Sequence, residues 1–466
     1  NLKDQKELND LIDSQESQEL AAAKDILSAF DLPPTYTEIK NIEINFEKSR
    51  IARRGKAELT RRFQEAKSKG LDFDGIGIAD TIAKNISKDF ETIEIKLKKK
   101  DADKALNTII DWYAASGYEI DVLQREIEKG AQSLIVLSKS LNEVVEFGRK
   151  QYHNFMDNVQ LNFQTGIENE GMSSIGIQRN LNLFTDKVNP LIAAGKKTVY
   201  ILADALRYEL AVFLKQGLER SDFDCHLEPS LAFVPTVTKF GMAALMPEAE
   251  KNLELKIVNK KLEPFLKNTK SSNRKDRITY TDSYFGDKHA WYWENDILSQ
   301  QFEKKDILFV TTTEIDKAGE NSPESAQMVI ENAIRKILKL SNILKEEGYE
   351  EFVLVADHGF VLIDSFKAGN SSTKPTGEWS LEKSRCLAGI GDSNSEHLKL
   401  SNEDLAITSE TKQFLFLKNY ATYERGKKFF HEGLSLQECI TPFLSFTPKR
   451  AASKQEYQIN VTYKGK

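Results

Sequence analysis

The sequence predicts an α/β fold: a mostly parallel sheet with helices on both faces, preceded by an α-helical region. Three observations carry that expectation. Beyond about residue 186, the short β-branched runs Thr198 to Ala203, Ile307 to Val310 and Phe352 to Ala356 alternate with long amphipathic stretches, the pattern of strands buried on both faces. One of those stretches, Pro323 to Glu347, is a well-marked helix, with Ser322 as N-cap, Pro323 in the first turn, apolar Met328, Ile330, Ile334, Ile337, Leu338 and Leu344, and Gly348 as stop. Before Thr185 the chain is charged, and Ala105 to Tyr118 and Glu119 to Phe147 carry apolar residues at three-and-four spacing, which predicts helices.

Taken in order, residues 1–185 read as a helical domain or scaffold with a linker. The five lysines and two aspartates of Lys96 to Lys104 read as a solvated helix face. A polar, glycine-bearing stretch from Val159 to Arg179 reads as a linker or long loop, so the domain boundary is expected just after it. The α/β domain is expected at 186–450, and 451–466 as a C-terminal strand or the start of a further region, because Tyr457 to Tyr463 alternates with little after it to pair against. With Asn1 in first place instead of methionine, this suggests a piece of a longer protein.

Composition narrows the function classes. The 466 residues, 40% of them hydrophobic, are ample for a substantial core. A net charge of −6 excludes nucleic-acid binding by the field of the whole chain and leaves only a local patch. Cys225, Cys386 and Cys439 are odd in number and far apart, which argues against a disulfide framework and for a reducing compartment, by default the cytoplasm. No apolar run approaches the roughly 18 residues of a membrane span, and the N-terminus lacks a signal-peptide pattern, so no membrane partner is expected.

Chemistry is expected at the carboxyl ends of the strands, where side chains project into a crevice bounded by loops and helix starts. Thr198 to Ala203 runs into Asp204, Ile307 to Val310 is followed by Glu314 and Asp316, and Phe352 to Ala356 runs into Asp357, His358 and Gly359. Any one of these acids could merely cap a helix. Three together, one beside a histidine, point to a metal site, and the mixture of carboxylate and imidazole suits zinc, manganese or a mixed pair. His431 is a further ligand candidate, on a loop before an apparent helix from Leu436 to Phe446, although a lone histidine is more often structural. In Phe233 to Leu245 an extended, proline-bearing segment leads through Thr236 and Thr238 into a helix of small residues. Thr238 either caps that helix or is a hydroxyl placed for activation by a metal, with backbone N–H groups receiving a phosphate.

With Asp204 in LADALRYE, Thr238 in VPTVTKFGMAAL, Asp316 in TTTEIDKAGE, Asp357 and His358 in LVADHGF, and His431 in HEGLSLQE, the sequence resembles the PglZ family, a branch of the alkaline-phosphatase superfamily, over about residues 186–450. The resemblance implies an alkaline-phosphatase-like sheet and two divalent metal ions, zinc foremost with manganese or magnesium as alternatives. One would be held by Asp204, Thr238, Asp357 and His358, the other by Asp316 and His431. The wider pattern has a histidine four residues after Asp316, where this chain has Glu320, so Glu320 is carried as a ligand of harder character. Also implied are Thr238 as nucleophile, metal-dependent hydrolysis of a nucleotide or nucleic-acid phosphodiester, and a setting in bacterial BREX phage defence beside a DNA methyltransferase and ATPases. Monoester and diester substrates are not separated. The rival reading is a non-catalytic scaffold of a defence complex that keeps a metal site. A phosphoryl mutase would need a sugar-phosphate pocket that the sequence does not reveal. Lys239, Arg207 and Arg385 are either substrate-neutralising or packing residues, and His289 to Trp293 either stacks on a base or packs in the core.

Overall fold

The computed structural model describes residues 105–132, 139–323, 326–363 and 371–449. The runs Lys96 to Lys104 and Tyr457 to Tyr463 lie outside the described residues. Helices α1 (Ala105–Trp112), α2 (Tyr118–Gln132) and α3 (Lys139–Glu170) come first. Strands β1 (Gln178–Arg179) and β2 (Thr198–Ala203), helix α4 (Tyr208–Arg220), strand β3 (Phe223–Leu231) and helices α5 (Thr238–Ala244) and α6 (Arg274–Phe285) follow. Next come β4 (His289–Trp293), β5 (Ile307–Thr312), α7 (Glu314–Asn321), α8 (Ala326–Glu346) and β6 (Glu351–Ala356), and last α9 (Leu436–Cys439) and β7 (Ile440–Pro448).

These seven strands form one sheet in the order β1-β3-β7-β6-β2-β5-β4. β2 pairs in parallel with both β6 and β5, and β5 with β4, while β7 is antiparallel to β3 and β6. The mostly parallel sheet expected from the sequence is therefore present, with β7 the strand that opposes its neighbours. Alternation along the strands sorts side chains to two cores. Val199, Ile201, Leu308, Val310 and Leu354 face α4 and α8 through Leu210, Leu214, Ile330, Ile334 and Ile337. Tyr200, Leu202, Phe309 and Val355 face a second cluster that includes Phe240 of α5 and also Leu106, Ile110, Phe163 and Ile167 of α1 and α3. α8 ends near Gly348, whose φ of +87° makes it the left-handed stop that the sequence signalled.

Two expectations need correction. The linker expected from Val159 to Arg179 is helical as far as Glu170, because Val159, Phe163 and Ile167, four apart, are all buried against the second core. The helix expected from Leu436 to Phe446 stops at Cys439 and the chain becomes β7. Ser435 does cap a helix by accepting from Glu438 N, but Pro442 has no N–H to continue it, and Ile440, Leu444 and Phe446 fill the slot between β3 and β6. Three smaller sheets among the described residues, formed by strands between Leu253 and Lys270, by strands between Gly377 and Leu417, and by Val361–Leu362 with Phe429–Phe430, were not foreseen.

A buried polar network joins the helical region to the sheet. Asp121 of α2 accepts from Tyr113 and Tyr152 hydroxyls, each at 2.6 Å, and from Gln437 Nε2 at 3.2 Å, and it pairs with Arg207 at 2.6 Å, just past β2. Removing one partner of a buried pair leaves the other charge uncompensated. Asp121→Ala should therefore lower unfolding stability by about 3 to 5 kcal/mol in urea titration. A midpoint equal to wild type would show that water or a rearranged side chain replaces the carboxylate without cost.

Candidate metal centre

The strand ladders set the first group. Asp204 N donates to Thr312 O at 3.0 Å, which carries the β2–β5 pairing one residue past Ala203. Ala205 then takes a left-handed φ of +62°, and its N–H donates to Asp357 Oδ1 at 3.2 Å. His358 N donates to the same oxygen at 3.0 Å. One Asp357 oxygen is thus held twice, and the other, Oδ2, lies 3.3 Å from His358 Nε2 without a hydrogen bond among the described residues.

Both histidines are oriented by carbonyl oxygens. His358 Nδ1 lies 2.9 Å from Gly359 O and His431 Nδ1 lies 2.8 Å from Thr236 O. A carbonyl can only accept, so each Nδ1 carries the proton and each Nε2 presents a lone pair. His358 Nε2 faces Thr238 Oγ1 at 3.0 Å and Asp204 Oδ1 at 3.9 Å, and His431 Nε2 faces Asp316 Oδ1 at 3.6 Å. The two rings stack with centroids 4.0 Å apart. His431 reaches this place because Phe429–Phe430 pairs antiparallel with Val361–Leu362, just after His358.

The seven side chains expected from the sequence therefore come together. Asp204, Asp357 and His358 form one group and Asp316, Glu320 and His431 another, the ligand atoms of each lying within 4.8 Å of one another. Thr238, the first residue of α5, turns its hydroxyl to His358 and makes no cap; the N-cap is Val237, which has no side-chain bond. Two glycines permit the approach. A Cβ on Gly241 would fall 2.7 Å from Asp357 O, and one on Gly319 would fall 2.1 Å from the Phe429 ring, so α5 and α7 close on the site only with glycine there. Asp316 and Glu320, four apart on α7, share a helix face.

The basic residues fall elsewhere. Lys239 pairs with Glu263 at 3.1 Å, Arg207 with Asp121, and Arg385 is fully buried against Glu438 at 2.7 Å. Sequence reasoning missed Arg277 of α6, which is buried and whose charge is drawn to Asp357 and Asp204. Trp291 packs on Phe309 at 4.6 Å as core, whereas Trp293 is exposed.

Burial, then repulsion from Asp357 and Asp316, raises the Asp204 carboxyl well above its ordinary range. Burial does the same to Asp357, against the backbone N–H groups that favour its charge, and raises Asp316 and Glu320 as well. Burial and then the His358 ring push the His431 imidazole down to about 3. Asp204 Oδ1, Asp316 Oδ1 and Asp357 Oδ2 are buried with no hydrogen-bond partner among the described residues. Unpaired acid oxygens beside inward imidazole lone pairs are a donor set that fits divalent cations.

Residues 183–446 match the family model described as the BREX system PglZ alkaline phosphatase-like domain. The chain belongs to the PglZ family. Its similarity to the alkaline phosphatase-like protein PglZ of Bacillus cereus is 22% identity over 305 residues, 62% of this chain and 35% of that protein. Similarity to the alkaline phosphatase-like protein BrxZ of Escherichia coli is 25% over 353 residues, 70% of this chain and 39% of that protein. The chain thus spans between about a third and two fifths of the length of these PglZ relatives. Among solved structures it is similar to murine and human ectonucleotide pyrophosphatase/phosphodiesterase 5, at TM-score 0.36 and 11% and 10% identity, covering 54% of this chain and 88% and 87% of those chains. No helix among the described residues is long and apolar enough to cross a membrane.

The titrating groups of this PglZ-family site act on stability with opposite signs. His431, depressed, contributes fully above the ordinary histidine value of about 6.5 and loses its contribution as pH falls below it. Asp204 and Asp357, raised, keep protons in the fold and cost stability as pH climbs through their raised range. His431 gives no slope above about pH 6.5, and the raised carboxyls lower the melting temperature of chelator-treated protein as pH rises until they ionise in the fold. Saturating zinc or manganese should remove that trend in calorimetry. The same trend with and without metal would sink the cation site.

Proposed function

We propose that the chain is a metal-dependent phosphodiesterase that cleaves a nucleotide or nucleic-acid phosphoester, in a BREX-type phage-defence system. The observation that carries the reading is Thr238 Oγ1, 3.0 Å from His358 Nε2 and free of any capping role, in the buried group whose His358 ring stacks on His431 of the second, partly exposed group. Asp204, Thr238, Asp357 and His358 would hold one divalent cation, and Asp316, Glu320 and His431 the other. Zinc is the first choice, with manganese or magnesium favoured by the glutamate. When bound, the pair supplies Lewis acidity that favours ionised Thr238 and neutralises charge on phosphoryl oxygens.

The chain's own part follows from the geometry. Thr238 Oγ1 bonds to phosphorus as the bond to the leaving alcohol breaks, and the alcohol departs with the proton. Water then cleaves the threonyl phosphoester, returning the hydroxyl and releasing a phosphomonoester. Gly359 O and Thr236 O keep each imidazole in the tautomer whose Nε2 faces inward. The catalytic unit is proposed to be 186–450, with α1 to α3 packed on it. A DNA methyltransferase and other defence proteins are the proposed partners, and the cytoplasm is the proposed location, a reading supported by the three unpaired cysteines Cys225, Cys386 and Cys439.

Two sets of variants test this. Thr238→Ala should lose hydrolysis of bis-nitrophenyl phosphate by several orders of magnitude while keeping its metal content, since one hydroxyl is removed from a folded domain. Asp357→Ala should lose metal and melt lower together, because a buried ligand is gone. An active Thr238→Ala protein would move the nucleophile to water or Thr236, and a metal-loaded wild type without activity would favour the scaffold. For the second group, Glu320→His should keep or tighten zinc binding and Glu320→Ala weaken it, as read by competition with a chromogenic chelator. Equal affinity in Glu320→Ala and wild type would remove Glu320 from the ligand set.

A further inference from the structure

Beside the metal centre, on the same face of the sheet as α5, lies a cluster of polar groups that the chemistry above does not use. Ser271 is fully buried and its Oγ has no partner among the described residues, nor have the buried Nε atoms of Arg274 and Arg277. Arg277, only 7% exposed, reaches Ser271 O with Nη1 at 3.4 Å and has no carboxylate in contact among the described residues. Burial pulls this guanidinium down to about 10, while Asp357 and then Asp204 pull it back. One turn away, Arg274 lies over the Trp293 ring at 4.5 Å and the Trp291 ring at 5.5 Å.

The sheet register fixes how this cluster meets the site. Trp293 pairs with Thr311, Thr311 with Leu202, and Leu202 lies two residues before Asp204. Two strand spacings, about 10 Å, separate Trp293 from Leu202 along the carboxyl edge of the sheet. Thr311 Oγ1, midway, is buried without a partner among the described residues. α6 is tied to the segment after α5 by Tyr280 OH donating to Pro247 O at 2.8 Å. The cluster therefore holds unpaired polar atoms on the same side of the sheet as α5 and, further out, an indole that is 40% exposed under a guanidinium.

We propose that Ser271, Arg274, Arg277, Trp293 and Thr311 form a nucleotide subsite, in which Arg277 donates to a phosphoryl oxygen and Trp293 with Arg274 stacks on the base. This rests on the phosphodiesterase reading for the direction in which substrate lies. A buried guanidinium with an unused N–H selects an anion, and an indole capped by a cation selects a planar π system. A nucleotide joins the two.

Calorimetric titration of the whole chain carrying Thr238→Ala, metal-loaded, with AMP and separately with ribose 5-phosphate tests the subsite without turnover. AMP should bind about tenfold or more tighter, the contribution of one stacked base. Trp293→Ala should erase that difference and leave ribose 5-phosphate unchanged, Trp293→Phe should restore it, and Arg277→Met should weaken both ligands. Equal affinity for the two ligands, failure of both to bind, or AMP affinity indifferent to Trp293→Ala would overturn the proposal. A base preference that depends on Trp293 in a protein whose wild type hydrolyses no diester would keep the subsite and discard the hydrolase; Thr238-dependent hydrolysis without base preference would do the reverse.

Discussion

The structure turns on the gathering of carboxylates and imidazoles at a desolvated sheet edge. Asp204 and Asp357 are buried with Asp316 close by, and one oxygen of each has no hydrogen-bond partner among the described residues. Such a cluster is costly unless positive charge compensates it, and its neighbours act as devices that keep it assembled. Ala205 accepts a left-handed backbone to hold one oxygen of Asp357, and Gly241 and Gly319 let α5 and α7 press against it. Thr236 binds the His431 segment three times: its carbonyl accepts from His431 Nδ1 and Glu432 N, and its hydroxyl donates to Gly433 O. The segment leading to Thr238 is thereby fastened to the loop that carries His431.

Ion pairs outside the cluster are spent on architecture. Arg207, three residues after Asp204, is committed to Asp121 and lies over Phe360, and Gln437 donates to the same Asp121, so buried polar contacts join the helical region to the segments that flank the candidate ligands. Arg385 is buried between Phe430 and Tyr420 with Glu438 as its partner, bracing the strand before His431. Lys239 is held by Glu263. Arg277 differs, since its charge answers to the cluster itself.

Much of this was legible in the sequence for a physical reason. Parallel strands buried on both faces read as continuous β-branched runs, and the fold places function where those runs end, so Asp204, Asp316 and Asp357 announce themselves. Thr238 was legible as a hydroxyl at a helix start but not as one that leaves its cap unmade, because only tertiary contact with His358 decides that. β7 was hidden by Ser435 and Glu438, a true capping box that opens one helical turn before Pro442 ends it. α3 was cut short because Gly166 and nearby Asn and Gln residues look like a loop until Val159, Phe163 and Ile167 meet α1. Arg277 had no local signature, since its meaning comes from a helix that approaches from outside the sheet, and within the aromatic run His289 to Trp293 only strand register separates Trp293 from Trp291.

On the proposed reading the two groups are two cation sites, with Thr238 in the one formed by Asp204, Asp357 and His358. Anomalous diffraction from crystals of the whole chain grown with zinc tests it most directly. Two peaks are expected, one enclosed by Asp204, Asp357 and His358 with Thr238 beside it, the other by Asp316, Glu320 and His431. Peaks absent from both groups, or a single ion shared between His358 and His431, would contradict it.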